Sequence, residues 1–142
     1  MKDDSQEQLG YLLVQVCKAH RNRAQAALSE IGLHAGQEMI LMHLYDAEGL
    51  TQSQLVESLC VEPPTVTKML QRMEAVGIVE RRQDAEDARV SRVYLTPNGR
   101  ALETQVCAVW RQLDDDTVAG LTDVEQALLR RLLQQVHTNL TK

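Results

Sequence analysis

The sequence predicts a mainly α-helical fold that contains one small β-hairpin. Apolar residues recur at steps of three and four near both ends of the chain, as they do along one face of an amphipathic helix. Between these ends, a short helical pattern and a turn precede a second helix that opens on Pro63 and Pro64. Two runs rich in β-forming residues follow, at residues 78–82 and 89–95. This order is typical of a winged helix-turn-helix, which places one helix in the major groove of DNA.

Two helices are expected in the N-terminal third of the chain. The first runs from about Gln8 to Ile31 and ends at Gly32. Its apolar stripe consists of Leu9, Leu12, Leu13, Val16, Cys17, Ala24, Ala27, Leu28 and Ile31. The second helix spans residues 35–47. The residues that it buries are expected to be Ile40, Leu41 and Leu44.

The helix-turn-helix pattern follows directly. Thr51 and Gln54 have the spacing of a capping box, in which each residue satisfies a backbone N–H of the other, and they open a short third helix. After a turn, Pro63 suits the first position of the fourth helix, because its missing N–H costs nothing there. This helix is expected to reach about Ala75, before Gly77 stops it.

The next elements are a hairpin and two C-terminal helices. Residues 78–82 and 89–95 are expected to pair as two strands, with the polar residues 83–88 forming the tip of the wing. A fifth helix begins at Thr96-Pro97 and continues through Trp110 and Leu113. The sixth opens with the capping box of Thr122 and Glu125, and its apolar stripe consists of Leu128, Leu129, Leu132, Leu133, Val136 and Leu140.

The two terminal stripes also predict self-association. They exceed what the core of a small winged helix would bury, and exposed apolar faces of that length favour association. We therefore expect one domain over residues 1–142, in which residues 1–34 and 97–142 form the dimerisation helices. Residues 35–96 form the winged helix-turn-helix, a DNA-binding region.

Composition restricts the environment and the chemistry. The 142 residues are 44% hydrophobic and 25% charged, and no apolar run reaches the roughly 20 residues of a membrane span, so no membrane partner is expected. Cys17, Cys60 and Cys107 are odd in number and far apart, which argues against disulfides and favours a cytoplasmic location. The four histidines lack the spacing of metal ligands, so neither a metal nor a cofactor is expected.

Positive charge is concentrated in one part of an acidic chain. The net charge is −5, yet residues 63–100 contain 7 Lys/Arg and 5 Asp/Glu. Residues 1–62 contain 4 and 9, and residues 101–142 contain 4 and 6. Because phosphate neutralisation depends on nearby cations and is screened within about 8–10 Å, a basic face on an acidic body can bind a duplex.

The fourth helix has the side chains that a groove reader uses. Val66, Met69, Leu70 and Met73 share one face, whereas the sides and the opposite face carry Thr65, Lys68, Gln71 and Arg72. Threonine contacts thymine methyls or phosphates, glutamine pairs with adenine, and lysine or arginine reaches guanine or phosphate. Any solvated surface helix can carry such residues, so the position of this helix before a basic hairpin is what favours DNA binding.

The hairpin adds a second contact. Arg89 and Arg92 flank a polar stretch beside Asp87, and an arginine that a carboxylate holds in one direction can enter a narrow minor groove. The alternative is a solvated, salt-bridged hairpin of little energetic value. The residues expected at the DNA interface are Thr51, Ser53, Pro64, Thr65, Thr67, Lys68, Gln71, Arg72, Asp87, Arg89 and Arg92.

Residues 50–82 followed by residues 84–100 resemble the winged helix-turn-helix of the multiple-antibiotic-resistance regulator (MarR) family. The motif that carries the resemblance is an acidic-arginine wing leading into Leu-Thr-x-x-Gly, here Asp84, Asp87, Arg89, Leu95, Thr96 and Gly99. The resemblance implies an intertwined homodimer whose two recognition helices read a pseudo-palindromic operator in double-stranded DNA. It also places Arg89 on the minor-groove wing.

Regulation by a ligand is a further implication of the resemblance. In that family a cleft between the dimer and DNA-binding regions is flanked by the helices that here carry His20, Met39, Met42, His43 and Trp110. These residues could line a pocket for a small aromatic or lipophilic effector, or could simply belong to the core.

Cys17 offers a different form of regulation. It loosely resembles the peroxide-sensing cysteine of the organic-hydroperoxide branch of the family, and a half-buried structural thiol is the alternative.

The sequence thus predicts a homodimeric, sequence-specific DNA-binding transcriptional regulator, a repressor relieved by a small effector. The alternatives are an oxidant-responsive regulator acting through Cys17 and a winged-helix module for protein contacts. An enzyme is not expected, because the sequence has no nucleophile elbow, phosphate loop, metal pair or dinucleotide fingerprint.

Overall fold

Helices dominate the structure, a computed structural model that describes residues 8–59 and 61–142. Cys60, which the sequence places in the turn of the helix-turn-helix, lies outside the described residues. The elements in chain order are α1 Leu9–Ser29, α2 Gln37–Asp46, β1 Leu50–Thr51, α3 Gln52–Leu59, α4 Pro63–Ala75, β2 Val79–Gln83, β3 Ser91–Leu95, α5 Pro97–Ala101, α6 Glu103–Thr117 and α7 Asp123–Leu140.

The core lies between α2, the two helices of the helix-turn-helix and the sheet, and α1 and α6 each add one fully buried side chain. Its fully buried side chains are Leu28, Ile40, Leu41, Leu44, Leu55, Val66, Leu70, Met73, Val79, Val93 and Val106. Burying one such side chain contributes about 1.5–3 kcal/mol. The buried faces predicted for α2 and α4 are therefore confirmed, except that Met69 is only half-buried.

The sheet contains three strands among the described residues, where the sequence predicts two. Both β1 and β2 pair antiparallel with β3, so Val93 lies opposite Leu50 on one side and Arg81 on the other. The strand β1 has only two residues, too few for an alternating pattern to be visible. The capping box that follows it is confirmed, because Thr51 Oγ1 accepts from the N–H of Gln54 at 3.1 Å and Gln54 Oε1 accepts from that of Thr51 at 2.8 Å.

The predicted fifth helix is two helices. Thr96 caps α5, since its hydroxyl accepts from the N–H of Gly99 at 3.1 Å and donates to the carbonyl of Gly77 at 2.6 Å. A tighter, 3₁₀-type turn follows, in which the N–H of Leu102 bonds the carbonyl of Gly99, three residues back. The backbone of Leu102 stays in the helical region, so α6 continues from α5 after one narrow turn.

A close backbone contact joins α5 to the wing, and we call it the α5 joint. A Cβ atom on Gly99 would lie 2.0 Å from the carbonyl oxygen of Ile78, so only glycine allows this approach. On the other side, the hydroxyl of Tyr45 in α2 donates to the carbonyl of Gly99 at 2.8 Å. Burial, with the Glu103 carboxylate second, raises the pKa of Tyr45 to about 12, so the hydroxyl keeps its proton at neutral pH.

The terminal helices leave apolar surface uncovered. Although α1 packs against α6, only Ala24 and Leu28 of its predicted apolar stripe are buried within the chain. None of the residues of α7 is buried, although its capping box at Thr122 and Glu125 forms as predicted. The exposed apolar residues of these two helices include Leu9, Leu12, Val14, Val16, Val124, Leu128, Leu132, Leu133 and Leu140. No helix in the described chain is long and apolar enough to cross a bilayer.

The α5 joint predicts a large effect for a small substitution. Gly99→Ala forces the Ile78 backbone to move, and we expect the free energy of unfolding to fall by about 1–3 kcal/mol, as overpacking does. Urea denaturation measures this change. Asn98→Ala, at the exposed neighbouring position, is the matched control and should stay close to the parent protein. Equal free energies of unfolding for the two variants would contradict the conclusion that only glycine fits at position 99.

Candidate DNA-binding interface

The helix α4 presents a polar face to solvent. Pro63 and Pro64 occupy its first turn, where no intrahelical N–H partner is needed. We call the exposed residues Pro64, Thr65, Lys68, Gln71 and Arg72 the recognition face. They lie opposite the buried residues of the same helix and combine donors, acceptors and positive charge. The structure therefore presents these predicted residues together, with the chemistry that base edges and phosphates require.

The start of α3 adds two predicted residues. Ser53 is exposed in the first turn of this helix, where backbone N–H groups favour an anion such as phosphate. Thr51 is half-buried, and its hydroxyl accepts the N–H of Gln54. The two residues therefore differ in what they offer: Ser53 faces solvent, whereas Thr51 mainly holds the helix start.

At the tip of the wing, the carboxylate of Asp87 binds the guanidinium of Arg89 through two hydrogen bonds. The Nε and Nη2 atoms of Arg89 bond the two carboxylate oxygens of Asp87 at 3.1 and 3.3 Å, and its backbone N–H bonds Oδ1 at 3.0 Å. These bonds lower the pKa of Asp87, so the carboxylate remains charged well below neutral pH. The Arg89 side chain is nevertheless 91% exposed. The wing thus presents an oriented cation to solvent.

Arg92 has a different setting from the one that the sequence suggests. Its Nε bonds Oδ1 of Asp84 at 2.8 Å, and its Nη1 bonds the carbonyl of Gly49 at 2.8 Å. This pairing lowers the pKa of Asp84. The Arg92 side chain is 35% exposed. Its guanidinium therefore fastens the wing loop to the start of β1, and Asp87 does not hold it.

Two further arginines on β2 were missed by the sequence analysis. Arg82 stacks over the ring of Tyr94, with 4.3 Å from its Cζ to the ring centroid, and pairs with Glu80. Arg81 points to the other face of the strand, where its Nε lies 2.9 Å from Oε1 of Glu74 in α4. Strand alternation separates the two side chains, but only the fold shows which partners they meet.

A polar cluster links α3, α4 and β2. Gln52 donates from Nε2 to the hydroxyl of Thr67, and its Oε1 accepts from Nη1 of Arg81 at 3.4 Å. The hydroxyl of Thr67 in turn donates to the carbonyl of Pro63 at 3.0 Å. Thr67 is half-buried, so this residue, predicted at the DNA interface, is directed mainly into the protein.

Comparison with known proteins agrees with this architecture. A family model described as the MarR family matches residues 33–91. The HTH-type transcriptional repressor Rv2887 of Mycobacterium tuberculosis is 33% identical over 128 residues, which cover 90% of this chain and 92% of the relative. The chain belongs to the MarR family. Its members are transcriptional regulators, so the expectation that this protein is not an enzyme is confirmed.

Solved structures of MarR-family proteins share the fold over nearly the whole chain. A mutant MarR from E. coli complexed with operator DNA is 30% identical, with a TM-score of 0.85 over 95% of this chain and 99% of that one. A structure described as the mechanism by which 6-hydroxynicotinic acid regulates DNA binding of Bordetella bronchiseptica BpsR is 26% identical. Its TM-score is 0.87, over 96% of this chain and 98% of the other. The predicted winged helix-turn-helix is confirmed.

The residues predicted to line an effector pocket are only partly brought together. The rings of His20 and Trp110 meet with centroids 5.9 Å apart, and the indole Nε1 is buried without a hydrogen-bond partner among the described residues. Met39, Met42 and His43 are half-buried on α2. Two surface cavities lie elsewhere, one of about 730 Å³ between α6 and α7 and one of about 520 Å³ between α1 and α6. The effector pocket stays a prediction.

The cysteines differ from expectation. Cys17 is exposed on α1 of the isolated chain, so the half-buried thiol offered as the alternative to a sensor is wrong for this state. Cys107 is exposed as well. Within residues 8–59 and 61–142, no group of three His, Cys, Asp or Glu side chains is placed to hold a metal ion.

The exposed Arg89 at the tip of the wing can be tested for contact with DNA. Arg89→Ala should weaken duplex binding and lower the slope of log K against log salt by about 0.9, the value of one lost phosphate neutralisation. The thermal unfolding midpoint should not change, because an exposed ion pair contributes little to folding. Fluorescence anisotropy at several salt concentrations measures the slope. Arg111→Ala, which removes an exposed charge from α6, is the control, and an equal loss in both variants would contradict a specific role for the wing.

Proposed function

We propose that the protein is a homodimeric repressor that reads a pseudo-palindromic site in double-stranded DNA. The observation that carries the proposal is that one chain presents both the recognition face on α4 and the oriented, exposed Arg89 on the wing. The first suits base edges in the major groove, and the second suits a narrow minor groove. A relative is named a transcriptional repressor, and a structural neighbour holds operator DNA. DNA binding also requires the compartment that contains the DNA, which makes a cytoplasmic location part of the proposal.

Exposed apolar stripes support the homodimer. On α7, Leu128, Leu132 and Leu133 remain about half exposed, and covering the remaining half of one such side chain contributes roughly 1 kcal/mol. A second copy supplies the same apolar surface, so a twofold interface buries each stripe against its counterpart. The twofold axis then places two recognition helices about 10–10.5 bp apart on one side of the duplex.

The operator itself provides the decisive experiment. Selection from a random duplex library should enrich an inverted repeat with that spacing, and scrambling one half-site should lower affinity at least about a hundredfold, given the 1–3 kcal/mol that each mismatched base pair costs. Electrophoretic mobility shift at fixed salt measures the ratio. Enrichment of no sequence, with equal binding to every duplex, would refute sequence-specific recognition and leave the winged-helix protein-contact module as the better reading.

The dimer is tested independently of DNA. Leu132→Glu puts a charge into the α7 stripe, and we expect sedimentation equilibrium to show one chain mass instead of two, because an unpaired buried carboxylate is not tolerated. Operator affinity should fall together with the dimer. Gln135→Glu introduces the same charge at an exposed polar position of α7 and should remain dimeric. A dimeric Leu132→Glu protein would exclude this stripe from the interface.

We also propose an effector that binds beside His20 and Trp110. A buried indole N–H without a partner carries a desolvation penalty, and a ligand oxygen that accepts from it removes this penalty. The ring of His20 provides an aromatic wall at the same place. In the related BpsR structure, an aromatic acid, 6-hydroxynicotinic acid, regulates that protein's DNA binding. An aromatic carboxylate is therefore the ligand class proposed here.

Fluorescence can follow this ligand directly, since Trp110 is the only tryptophan of the chain. Adding 6-hydroxynicotinic acid or benzoate should change the emission of Trp110 and weaken operator binding in parallel. Benzylamine, which has a ring but no acceptor, is the control ligand, and His20→Ala should raise the dissociation constant of the acids about tenfold. Acids that leave both emission and operator affinity unchanged at millimolar concentration would exclude this site.

A further inference from the structure

Thr67 lies on α4 next to the recognition face, yet its hydroxyl has no proton to give to DNA. The single hydroxyl hydrogen is donated to the carbonyl of Pro63 at 3.0 Å, and one lone pair accepts Nε2 of Gln52 at 2.5 Å. Phosphate oxygens are acceptors only, so a contact with them would require this hydroxyl to break its bond with Pro63. The inference below rests on the DNA binding proposed above.

Glu74 makes a second contact from the same side of α4, with Arg81 of β2. Thr67 and Glu74 are seven residues apart, two helical turns, and so share one side of α4 between its buried face and its recognition face. Glu74 Oε1 lies 2.9 Å from Nε of Arg81, and Nη1 of Arg81 bonds Oε1 of Gln52. Side chains from α3 and β2 therefore hold α4 near both of its ends.

We propose that Gln52, Thr67, Glu74 and Arg81 form a clamp that sets the angle of the recognition helix against α3 and the wing. The clamp controls DNA affinity without touching DNA. At 1.5 Å per residue, the 13 residues of α4 span about 20 Å, so a tilt of about 5° displaces one end by roughly 1.7 Å. A displacement of that size breaks hydrogen bonds to base edges, which tolerate only a few tenths of an ångström.

The position of Arg81 agrees with this role. Its side chain is only 24% exposed, and its Nε and Nη2 are buried with no hydrogen-bond partner among the described residues, although Nε lies within ion-pair distance of Glu74. This guanidinium is held by the hydrogen bond from Nη1 to Gln52 and by its ion pair with Glu74. Lysine has the charge but lacks the planar guanidinium that directs separate nitrogens at Gln52 and Glu74, so we expect it to keep only one of the two contacts.

The test compares variants of the full-length protein on the selected operator and on a scrambled duplex, at several salt concentrations. Thr67→Val keeps the shape and removes the hydroxyl, and we expect about tenfold weaker operator binding with an unchanged salt slope and unchanged binding to the scrambled duplex. Thr67→Ser should recover most of the loss. Arg81→Lys should lose as much as Thr67→Val, whereas a direct phosphate contact would survive the exchange, since lysine also binds phosphate.

A double-mutant cycle then shows whether Thr67→Val weakens operator binding through the clamp or through a lost contact with DNA. Adding Thr67→Val to Gln52→Leu should cause no further loss, because both variants break the same clamp. Thr65→Val, on the recognition face, is the matched control, and its loss should multiply with that of Gln52→Leu. Multiplicative losses for Thr67→Val and Gln52→Leu would mean that Thr67 touches DNA and would overturn the clamp.

The two proposals fail in distinguishable ways. Parent protein that prefers the operator, together with Thr67→Val and Arg81→Lys proteins of parental affinity, overturns the clamp and leaves the proposed function intact. Parent protein that does not distinguish the operator from the scrambled duplex overturns both.

Discussion

The contact between Gly99 and the carbonyl of Ile78 is the constraint on which the arrangement of this protein depends. It brings Gly99 in α5 against Ile78, the residue just before β2, at a distance that excludes any side chain. Thr96 closes the same joint by bonding Gly77, and Tyr45 bonds it from α2. Because α6 continues directly from α5, the wing, the helix-turn-helix and the long helices take their relative positions from this one place.

The arginines of residues 81–92 show how identical side chains acquire different tasks. Asp87 binds Arg89 and Asp84 binds Arg92. The bonds to Asp87 leave the Arg89 side chain almost wholly exposed, whereas Arg92 also bonds the carbonyl of Gly49, just before β1. Arg82 stacks on an aromatic ring, and Arg81 faces α4. Arg89 is the most open of these four cations, at 91% exposed, and Arg82 is 59% exposed. The local positive charge therefore overstates the number of arginines available to a phosphate, since the guanidinium groups of Arg81 and Arg92 are mostly covered by the protein.

Sequence predicts well those features that neighbouring residues determine. The capping boxes at Thr51 and Thr122, the proline start of α4 and the exposed recognition face all depend on residues within one or two turns, and all are present. Partners distant in the chain were not predictable. The bond of Arg92 to a carbonyl 43 residues away, and the inward hydroxyl of Thr67, exist only after the sheet and helices have packed. The strand β1 was missed because two residues carry no periodicity.

Periodicity also shows that a helix face is apolar without showing what covers it, and this distinction matters for the proposed dimer and the proposed effector. The stripe of α1 is uncovered in its N-terminal half, while its C-terminal half packs on α6, which carries Trp110 and begins just after the α5 joint. A ligand between His20 and Trp110 would therefore contact α1 and α6, and α6 is joined to the wing through the short helix α5. Such a ligand shifts DNA affinity only if its contacts differ between two arrangements of these helices. Helix α6 is the route that we propose for such a ligand, because α6 packs against α1 and continues from α5, which meets Ile78.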